Sequence, residues 1–465
     1  MNPEPPSRPA AQPPRRPDAE TSSEPPRRVY IETYGCQMNV ADSELMLGLL
    51  GSHGYQQTPS PEDADVLLLN TCAVRDNAEQ RVIGRMGELQ RFKRRGTVLG
   101  VVGCMAQRLG PMLLERVPRV DIVVGPDGYR NLPDLIAAAQ SGGRAAETGF
   151  RSWEHYEDVP PVRVPGPTQF VTVQRGCDYR CTFCIVPYTR GPERSRKLED
   201  VVREVRGLAE QGSSEVTLLG QTVNSYHDGA HDFAELLRAV GSVDGIRRVR
   251  FTSPYPTDFT DRVIAAMAET PAVCEHVHLP AQSGSNQVLK RMLRRYTREQ
   301  YLEVVERLRR AIPGITLTTD IIVGFPGETE AQFQETLTLV QEAGFDDAYT
   351  FKYSLRDGTP AVKLPDRVSE AVASDRLDRL IELVRGQARA RNLPRIGTVH
   401  EVLVERPARR GGLLLGRSRA NHLVLLELPE SSIGEYHRVR FTGTTGSTFT
   451  GSVVAAELAL FPGGA

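Results

Sequence analysis

The run Phe170-Val171-Thr172-Val173-Gln174-Arg175-Gly176-Cys177-Asp178-Tyr179-Arg180-Cys181-Thr182-Phe183-Cys184 decides how this chain is read. Its first five residues have strand character, and the cysteines follow at spacings of three residues and then two. Three thiolates can hold three irons of a four-iron cube, which leaves the fourth iron free for an outside ligand. Such an iron can bind and reduce a small molecule. Zinc is the competing reading. It needs a fourth Cys or His close by, and the nearest histidines are His155 and His227.

Beyond this run the pattern repeats. Strands are expected at 169–174, 215–220, 247–252, 275–279, 316–323 and 347–353, with amphipathic helices between them. In the first helix Val201, Val202, Val205, Leu208 and Ala209 share one face, and Gly212 supplies the stop. Thr329 and Gln332 are spaced as a capping box after the turn Gly324-Phe325-Pro326-Gly327-Glu328. A last helix at Arg376–Arg391 ends before Pro394. Six such units predict an open (β/α)6 barrel over residues 168–394, with its chemistry at the carboxyl ends of the strands.

Upstream, residues 29–145 predict a parallel α/β domain. The strands Val29–Ile31, Asp65–Leu69 and Thr97–Val102 are followed at once by Cys36, Cys72 and Cys104, and Val120–Val124 extends the sheet before a helix near Leu132–Ala139. Loops after parallel strands gather on one edge, so these distant cysteines can meet. Spacing alone leaves open the bland alternative of three buried core thiols. Residues 1–28 are a proline-rich tail with too little apolar side chain to repay ordering. Residues 146–167, with the single tryptophan Trp153, have the composition of a linker. From Arg395 to residue 459 the period changes to two. Strands at Thr398–Glu405, Leu413–Leu415, Leu423–Leu428, Tyr436–Thr442 and Gly451–Leu458 predict a small β-barrel.

With 57 basic against 58 acidic residues the chain is no polycation, so nucleic-acid contact must come from local patches. Arg406, Arg409, Arg410, Arg417 and Arg419 are the leading group, because small barrels bind nucleic acid through one face and its loops. Arg91–Arg95 and the run Lys290, Arg291, Arg294, Arg295, Arg298 are further basic groups. Seven cysteines without a secretory signal fit a reduced cytoplasmic setting with metal-bound thiolates, and Cys274 reads as a packed core thiol. No apolar run approaches the roughly 18 residues of a membrane span.

Two cysteine triads on two α/β platforms, followed by an arginine-bearing barrel, resemble the methylthiotransferase family of radical S-adenosylmethionine (SAM) enzymes over residues 28–459. The supporting runs are Thr33-Tyr34-Gly35-Cys36-Gln37-Met38-Asn39, Asn70-Thr71-Cys72-Ala73-Val74-Arg75, Ile185-Val186-Pro187-Tyr188-Thr189-Arg190-Gly191, Leu219-Gly220-Gln221-Thr222-Val223-Asn224-Ser225-Tyr226 and His278-Leu279-Pro280-Ala281-Gln282-Ser283-Gly284-Ser285. The wording is most similar to the tRNA branch that acts on N6-isopentenyladenosine. A ribosomal-protein branch would read Gly-Cys-Pro-Lys-Asn at Gly35–Asn39, and a threonylcarbamoyladenosine branch Gly-Cys-Lys-Val-Asn. One departure is Thr252-Ser253-Pro254, where the family usually has Ser-His-Pro.

The resemblance implies a TRAM-type RNA-binding barrel and two [4Fe-4S] clusters, one on Cys177, Cys181 and Cys184 and one on Cys36, Cys72 and Cys104. The central cluster would reduce SAM to a 5′-deoxyadenosyl radical. The second would supply or carry sulfur, and a second SAM would donate the methyl group. The implied product is 2-methylthio-N6-isopentenyladenosine, formed at carbon 2 of the adenosine at position 37 in the tRNA anticodon loop. Gly220, Gln221, Gln282, Ser283, Val323 and Gly324 are the implied SAM contacts. A low-potential electron donor and a sulfur donor are implied partners. The alternatives are a methylthiotransferase acting on threonylcarbamoyladenosine or on a ribosomal protein, a radical SAM enzyme with one cluster, and a non-catalytic iron–sulfur RNA-binding sensor.

Overall fold

The structure, a computed structural model, describes residues 26–73, 76–409 and 411–454. Most of the expected tail, Val74 and Arg75 of the second cysteine motif, Arg410, and the end of the last barrel strand lie outside the described residues.

Six parallel strands form the N-terminal sheet: β1 (Arg27–Tyr34), β2 (Tyr55–Gln57), β3 (Val66–Thr71), β4 (Val98–Gly103), β5 (Ile122–Val124) and β6 (Ala145–Glu147), in the order β2-β1-β3-β4-β5-β6. Both faces are covered, and the alternation of side chains in β3 shows how. Val66 and Leu68 enter one core with Leu45, Met46 and Val98, while Leu67 and Leu69 enter another with Val82, Met86 and Leu99. A strand buried on both faces reads as a continuous apolar run, which is why β3 and β4 were legible and the short edge strands β2 and β6 were not. β1, β3 and β4 are immediate neighbours, so the loops after them share one corner of the sheet.

The central unit begins with β7 (Thr168–Thr172). Next, β8 (Gln174–Arg175) and β9 (Arg194–Ser195) pair antiparallel and close the neck of the loop carrying Cys177, Cys181 and Cys184. The parallel strands β10 (Glu215–Leu219), β11 (Arg248–Phe251), β12 (His276–His278), β13 (Thr316–Val323) and β14 (Asp347–Lys352) follow, alternating with helices. The ladders β7-β10-β11 and β12-β13-β14 are joined through a Val249–Val273 bridge, so six strands curve around one interior and leave β7 and β14 as free edges. The last helix is longer than its apolar pattern indicated, Glu370–Asn392, with Ser369 accepting from Val372 N at its start.

Residues 148–167 form no regular element, yet they are packed. Tyr156 Oη donates to Pro126 O at 2.9 Å, Glu154 pairs with Arg130 at 2.7 Å, and Val162 N donates to Glu44 O at 2.9 Å. The composition of a linker here accompanies a strap that holds the two α/β units together.

The C-terminal unit is a closed barrel of β15 (Val399–Pro407), β16 (Leu414–Ser418), β17 (Leu423–Leu426), β18 (Tyr436–Thr444) and β19 (Thr448–Val453), ordered β15-β16-β17-β19-β18 around Val402, Val424, Val439, Phe441 and Phe449. Its last strand starts at Thr448, ahead of the expected Gly451, because Thr448 and Phe449 pair with Leu423 and Val424. The barrel docks on the amino ends of the central strands. Arg248 Nη1 donates to Arg417 O at 2.8 Å, Arg250 Nη2 to Ser418 O at 2.8 Å, and Thr316 Oγ1 to Ala420 O at 2.8 Å.

Candidate active site: two cysteine triads on one cavity

A cavity of about 1240 Å³ runs through the central barrel, and both Cys36 and Cys184 line it. Each central strand contributes its inward alternate residues, among them Phe170, Thr217, Arg250, His278, Asp320 and Phe351. The N-terminal sheet closes one end of this space with Cys36 and Gln37, and the β-barrel closes the other with Arg417, Asn421 and Leu423.

The central triad is built by its loop. Gly176 has φ +79°, and a Cβ there would lie 1.9 Å from Pro192 O, so glycine alone permits the tight closure below β8 and β9. Cys184 N donates to Cys181 O at 3.0 Å and Cys177 N to Gly191 O at 3.2 Å. Arg294 Nη1 donates to Cys181 Sγ at 3.4 Å, and Thr222 Oγ1 lies 3.9 Å from Cys177 Sγ. Burial pushes the Cys177 thiol up to about 11 and the Cys184 thiol up to about 12.

The N-terminal triad is assembled across strands. Cys36 follows β1, Cys72 follows β3, and Cys104 follows β4. Two buried asparagines tie these ends: Asn39 Nδ2 donates to Asn70 Oδ1 at 3.2 Å, and Asn70 Nδ2 donates to Asn39 O at 2.7 Å. Gly35 (φ +154°) belongs to this packing, since a Cβ there would lie 2.2 Å from Asn39 Oδ1 and 2.9 Å from Cys72 Cβ. A hydrogen bond from Cys72 and the nearby Arg190 charge pull the Cys36 thiol down to about 6, against the effect of burial. Cys104, fully buried, is pushed up.

A buried ion cluster joins the two triads. Asp42, on the helix Gln37–Gly51 that follows Cys36, accepts from Arg175 at 2.9 Å and from Arg190 at 2.7 Å. Arg175 precedes the Cys177 loop and Arg190 closes it, while the Arg190 charge acts against burial on the Cys104 thiol. Burial would raise the Asp42 carboxyl, but the two guanidinium groups outweigh it and hold it below its ordinary value. Arg356 donates to Ala73 O and adds a second tie between the units.

The donor sets suit iron–sulfur clusters. All seven cysteines are free thiols, and six lie in the two groups of three. Among the described residues no three Cys, His, Asp or Glu side chains converge on a point for one metal ion. Ligands of a cube need no such point, because each thiolate binds a different iron.

The expected SAM contacts divide by position. Gly220 and Gln221 follow β10 and precede Thr222, and Gln221 Oε1 is a buried acceptor with no protein donor among the described residues. Gln282 lines the cavity with φ +69°, its backbone bonded to Asp320 O and Ile322 N. Ser283, Val323 and Gly324, like Gly220 and Gln221, are not among the residues that line it. Ser283 Oγ accepts from Ser285 N at 3.2 Å, and Gly324 N donates to Glu328 Oε2 at 2.7 Å, so these positions shape turns. The Thr252-Ser253-Pro254 departure lies on the cavity wall, where Ser253 has φ +58°.

The arginines divide as well. Arg406 and Arg409 are exposed. Arg417 is spent on Glu405 at 2.6 Å, and Arg419 on Glu275 at 2.8 Å and on Pro271 O and Val273 O, so Arg419 anchors the barrel to the central unit. Sequence reasoning missed Asp42, Asn39 and Asn70, whose only signal was a small polar residue beside a cysteine motif. It grouped Arg294 with a basic run, although Arg294 faces Cys181.

These features define a radical SAM protein. Residues 171–340 match the Radical SAM superfamily, and residues 28–125 match a family described as Uncharacterized protein family UPF0004. The fold is similar to that of the radical S-adenosylmethionine methyltransferase TsrM from Kitasatospora setae, with a TM-score of 0.54 at 17% identity, covering 72% of this chain and 74% of that one. The chain is 43% identical over 435 residues to a tRNA-2-methylthio-N(6)-dimethylallyladenosine synthase of Jannaschia sp. (strain CCS1), covering 92% of this chain and 94% of the relative. It is 46% identical over 433 residues to the synthase of that name from Geobacter sulfurreducens, covering 92% and 97%. It therefore belongs to the tRNA-2-methylthio-N(6)-dimethylallyladenosine synthase family. No helix among the described residues is long and apolar enough to cross a membrane.

Proposed function

We propose that this chain methylthiolates carbon 2 of N6-isopentenyladenosine, also called N6-dimethylallyladenosine, at position 37 of tRNA, with two [4Fe-4S] clusters and SAM as its cofactors. The single observation that carries the reading is that Cys36 and Cys184, one from each triad, line the same cavity. Sulfur insertion and C–H activation must act on one base, and a shared chamber brings both to it.

Cys177, Cys181 and Cys184 hold the central cluster, and Cys36, Cys72 and Cys104 hold the other. When bound, the central cluster supplies the electron for SAM cleavage and the second supplies or carries sulfur. The chain's own groups do the rest. Gln221 Oε1 offers a buried acceptor to the ammonium group of SAM, and the absent side chain of Gly220 leaves room beside Gln174 Oε1, which a Cβ would approach to 2.7 Å. Burial in the loop excludes water from the Cys177 and Cys181 thiols. Arg406 and Arg409 meet RNA phosphates, and Arg419 keeps the barrel in place. A low-potential electron donor and a sulfur donor complete the partners, and the site of action is the cytoplasm.

The test is mass spectrometry of tRNA nucleosides from a strain lacking the chain, complemented by the wild type or by Cys72→Ala. The wild type restores the methylthio nucleoside, and the variant leaves N6-isopentenyladenosine unconverted. A knockout with unchanged nucleosides would refute the assignment.

A further inference from the structure

The inner wall of β14 carries aromatic surface that the fold leaves bare. Tyr349 and Phe351 alternate on this strand and both line the cavity. Tyr349 is 60% exposed and Phe351 38%, whereas Leu317, Ile321 and Val323 on the neighbouring β13 are buried. Leaving large rings uncovered forgoes the burial that stabilises the rest of the unit. The rings are nevertheless held. His278 meets Tyr349 edge-on, with centroids 5.6 Å apart at 69°, and His278 is itself fixed by Thr318 Oγ1 at 3.0 Å and Asp320 Oδ2 at 3.3 Å. With this contact made, Tyr349 still keeps most of its surface exposed.

β14 is paired on one side only, with β13, and thus borders the open side of the barrel. Phe351 lies two residues nearer than Tyr349 to the carboxyl end of the strand, the end at which the cysteines stand. Side chains two apart on a strand are ~6.6 Å from one another. That separation is too wide to grip one base, and it suits two bases laid side by side, as on aromatic-bearing sheets that bind single-stranded RNA. Exposed Arg406 lines the same cavity and supplies a partner for phosphate.

We propose that β14 is a stacking platform for two splayed nucleotides of the anticodon loop, with the target adenine on Phe351 and an adjacent base on Tyr349. The proposal rests on the tRNA reading above and names the residues that seat the substrate. Because Tyr349 touches the neighbour and not the reacting base, its contribution is to affinity and register.

The experiment uses full-length, cluster-loaded protein under anaerobic conditions. A fluorescent anticodon stem-loop carrying N6-isopentenyladenosine is titrated against wild type, Tyr349→Leu, Phe351→Leu and Tyr349→Phe. The titration is repeated with two RNAs abasic on either side of the target. Each Leu variant should weaken binding of intact RNA about 5- to 140-fold, which is stacking of about 1–3 kcal/mol per base. Iron content and RNA-free SAM cleavage should stay at wild-type levels, and Tyr349→Phe should bind as wild type. With one of the abasic RNAs the Tyr349→Leu penalty should vanish, because the ring then has no base to cover. Leu variants that bind intact RNA within about twofold of wild type, or a Tyr349→Leu penalty that persists on both abasic RNAs, would overturn the platform. Product formation by the wild type on the same RNA is scored in parallel. Wild type that binds without forming methylthio product defeats the functional reading, while the binding series still decides the platform.

Discussion

The two cysteine triads reach one cavity by opposite routes. Cys177, Cys181 and Cys184 come from a single loop, closed by the β8–β9 pair and by Gly176 against Pro192, so their geometry is set by residues close in sequence. Cys36, Cys72 and Cys104 come from the ends of β1, β3 and β4 and meet only when the sheet has formed. Their electrostatics differ at Cys36, since burial raises Cys104 as it does the central thiols. Burial raises Cys177 and Cys184, while Cys36, exposed to the cavity, is lowered by Cys72 and Arg190. A site made by one loop carries its own scaffold. A site spread over strands depends on buried ties such as Asn39 with Asn70 and Asp42 with two arginines.

The largest expected effect separates the triads by chemistry. Cys181→Ala should reduce 5′-deoxyadenosine formation to background, whereas Cys72→Ala should keep SAM cleavage and lose methylthio product. Reconstituted wild type should hold about eight irons per chain and each variant about four. If Cys181→Ala still cleaved SAM, or Cys72→Ala still modified tRNA at wild-type yield, the division of roles would collapse.

Next comes the tie between them. Asp42→Asn strands two buried guanidinium groups and should cost about 3–5 kcal/mol in denaturant unfolding, the usual price of breaking a buried pair. Iron should fall preferentially at the N-terminal triad, because Arg190, whose charge acts on Cys36 and Cys104, then loses the carboxylate that holds it. The pH sign follows from the lowered Asp42 value. Its stabilisation is complete above the ordinary carboxyl range of about 4 and is lost as pH falls through the depressed folded value. Wild type and Asp42→Asn should therefore converge in stability in strong acid, and a gap that widened there would contradict the assignment.

A smaller effect compares the thiols directly in metal-free protein. At pH 7 a thiol near 6 is mostly thiolate and one near 11 almost wholly protonated. After allowing for the lower nucleophilicity of the more acidic thiol, iodoacetamide should label Cys36 about 50-fold faster than Cys177. Labelling of Cys36 should decline as pH drops through about 6. Equal rates, read by peptide mass spectrometry, would remove the electrostatic contrast.

The smallest expected effect is at the central loop. Thr222→Val deletes a hydroxyl 3.9 Å from Cys177 Sγ and 3.1 Å from Glu193, and should cost about 1 kcal/mol while leaving iron content unchanged. A loss as large as that of Asp42→Asn would show that the local loop leans on distant contacts as heavily as the assembled site does.

What the sequence by itself determined was whatever depends on short-range spacing. The central cysteines, the alternation of strands and helices, the change to a period of two after Arg395, and the placement of Cys36, Cys72 and Cys104 at strand ends all follow from patterns a few residues long. Tertiary structure alone decided which side chains are spent on one another. Charge in a sequence does not reveal whether a guanidinium faces solvent, as at Arg406, or a partner contributed by a distant element, as at Arg419 with Glu275 and Arg294 with Cys181. The same holds for Ser283 and Gly324, turned to hydrogen bonds within their own turns, and for Asp42, whose two partners lie more than a hundred residues away in sequence. Strand periodicity places Tyr349 and Phe351 on one face of β14, but their exposure arises because β14 has no neighbour beyond it, and pairing at a sheet edge is a property of the whole fold.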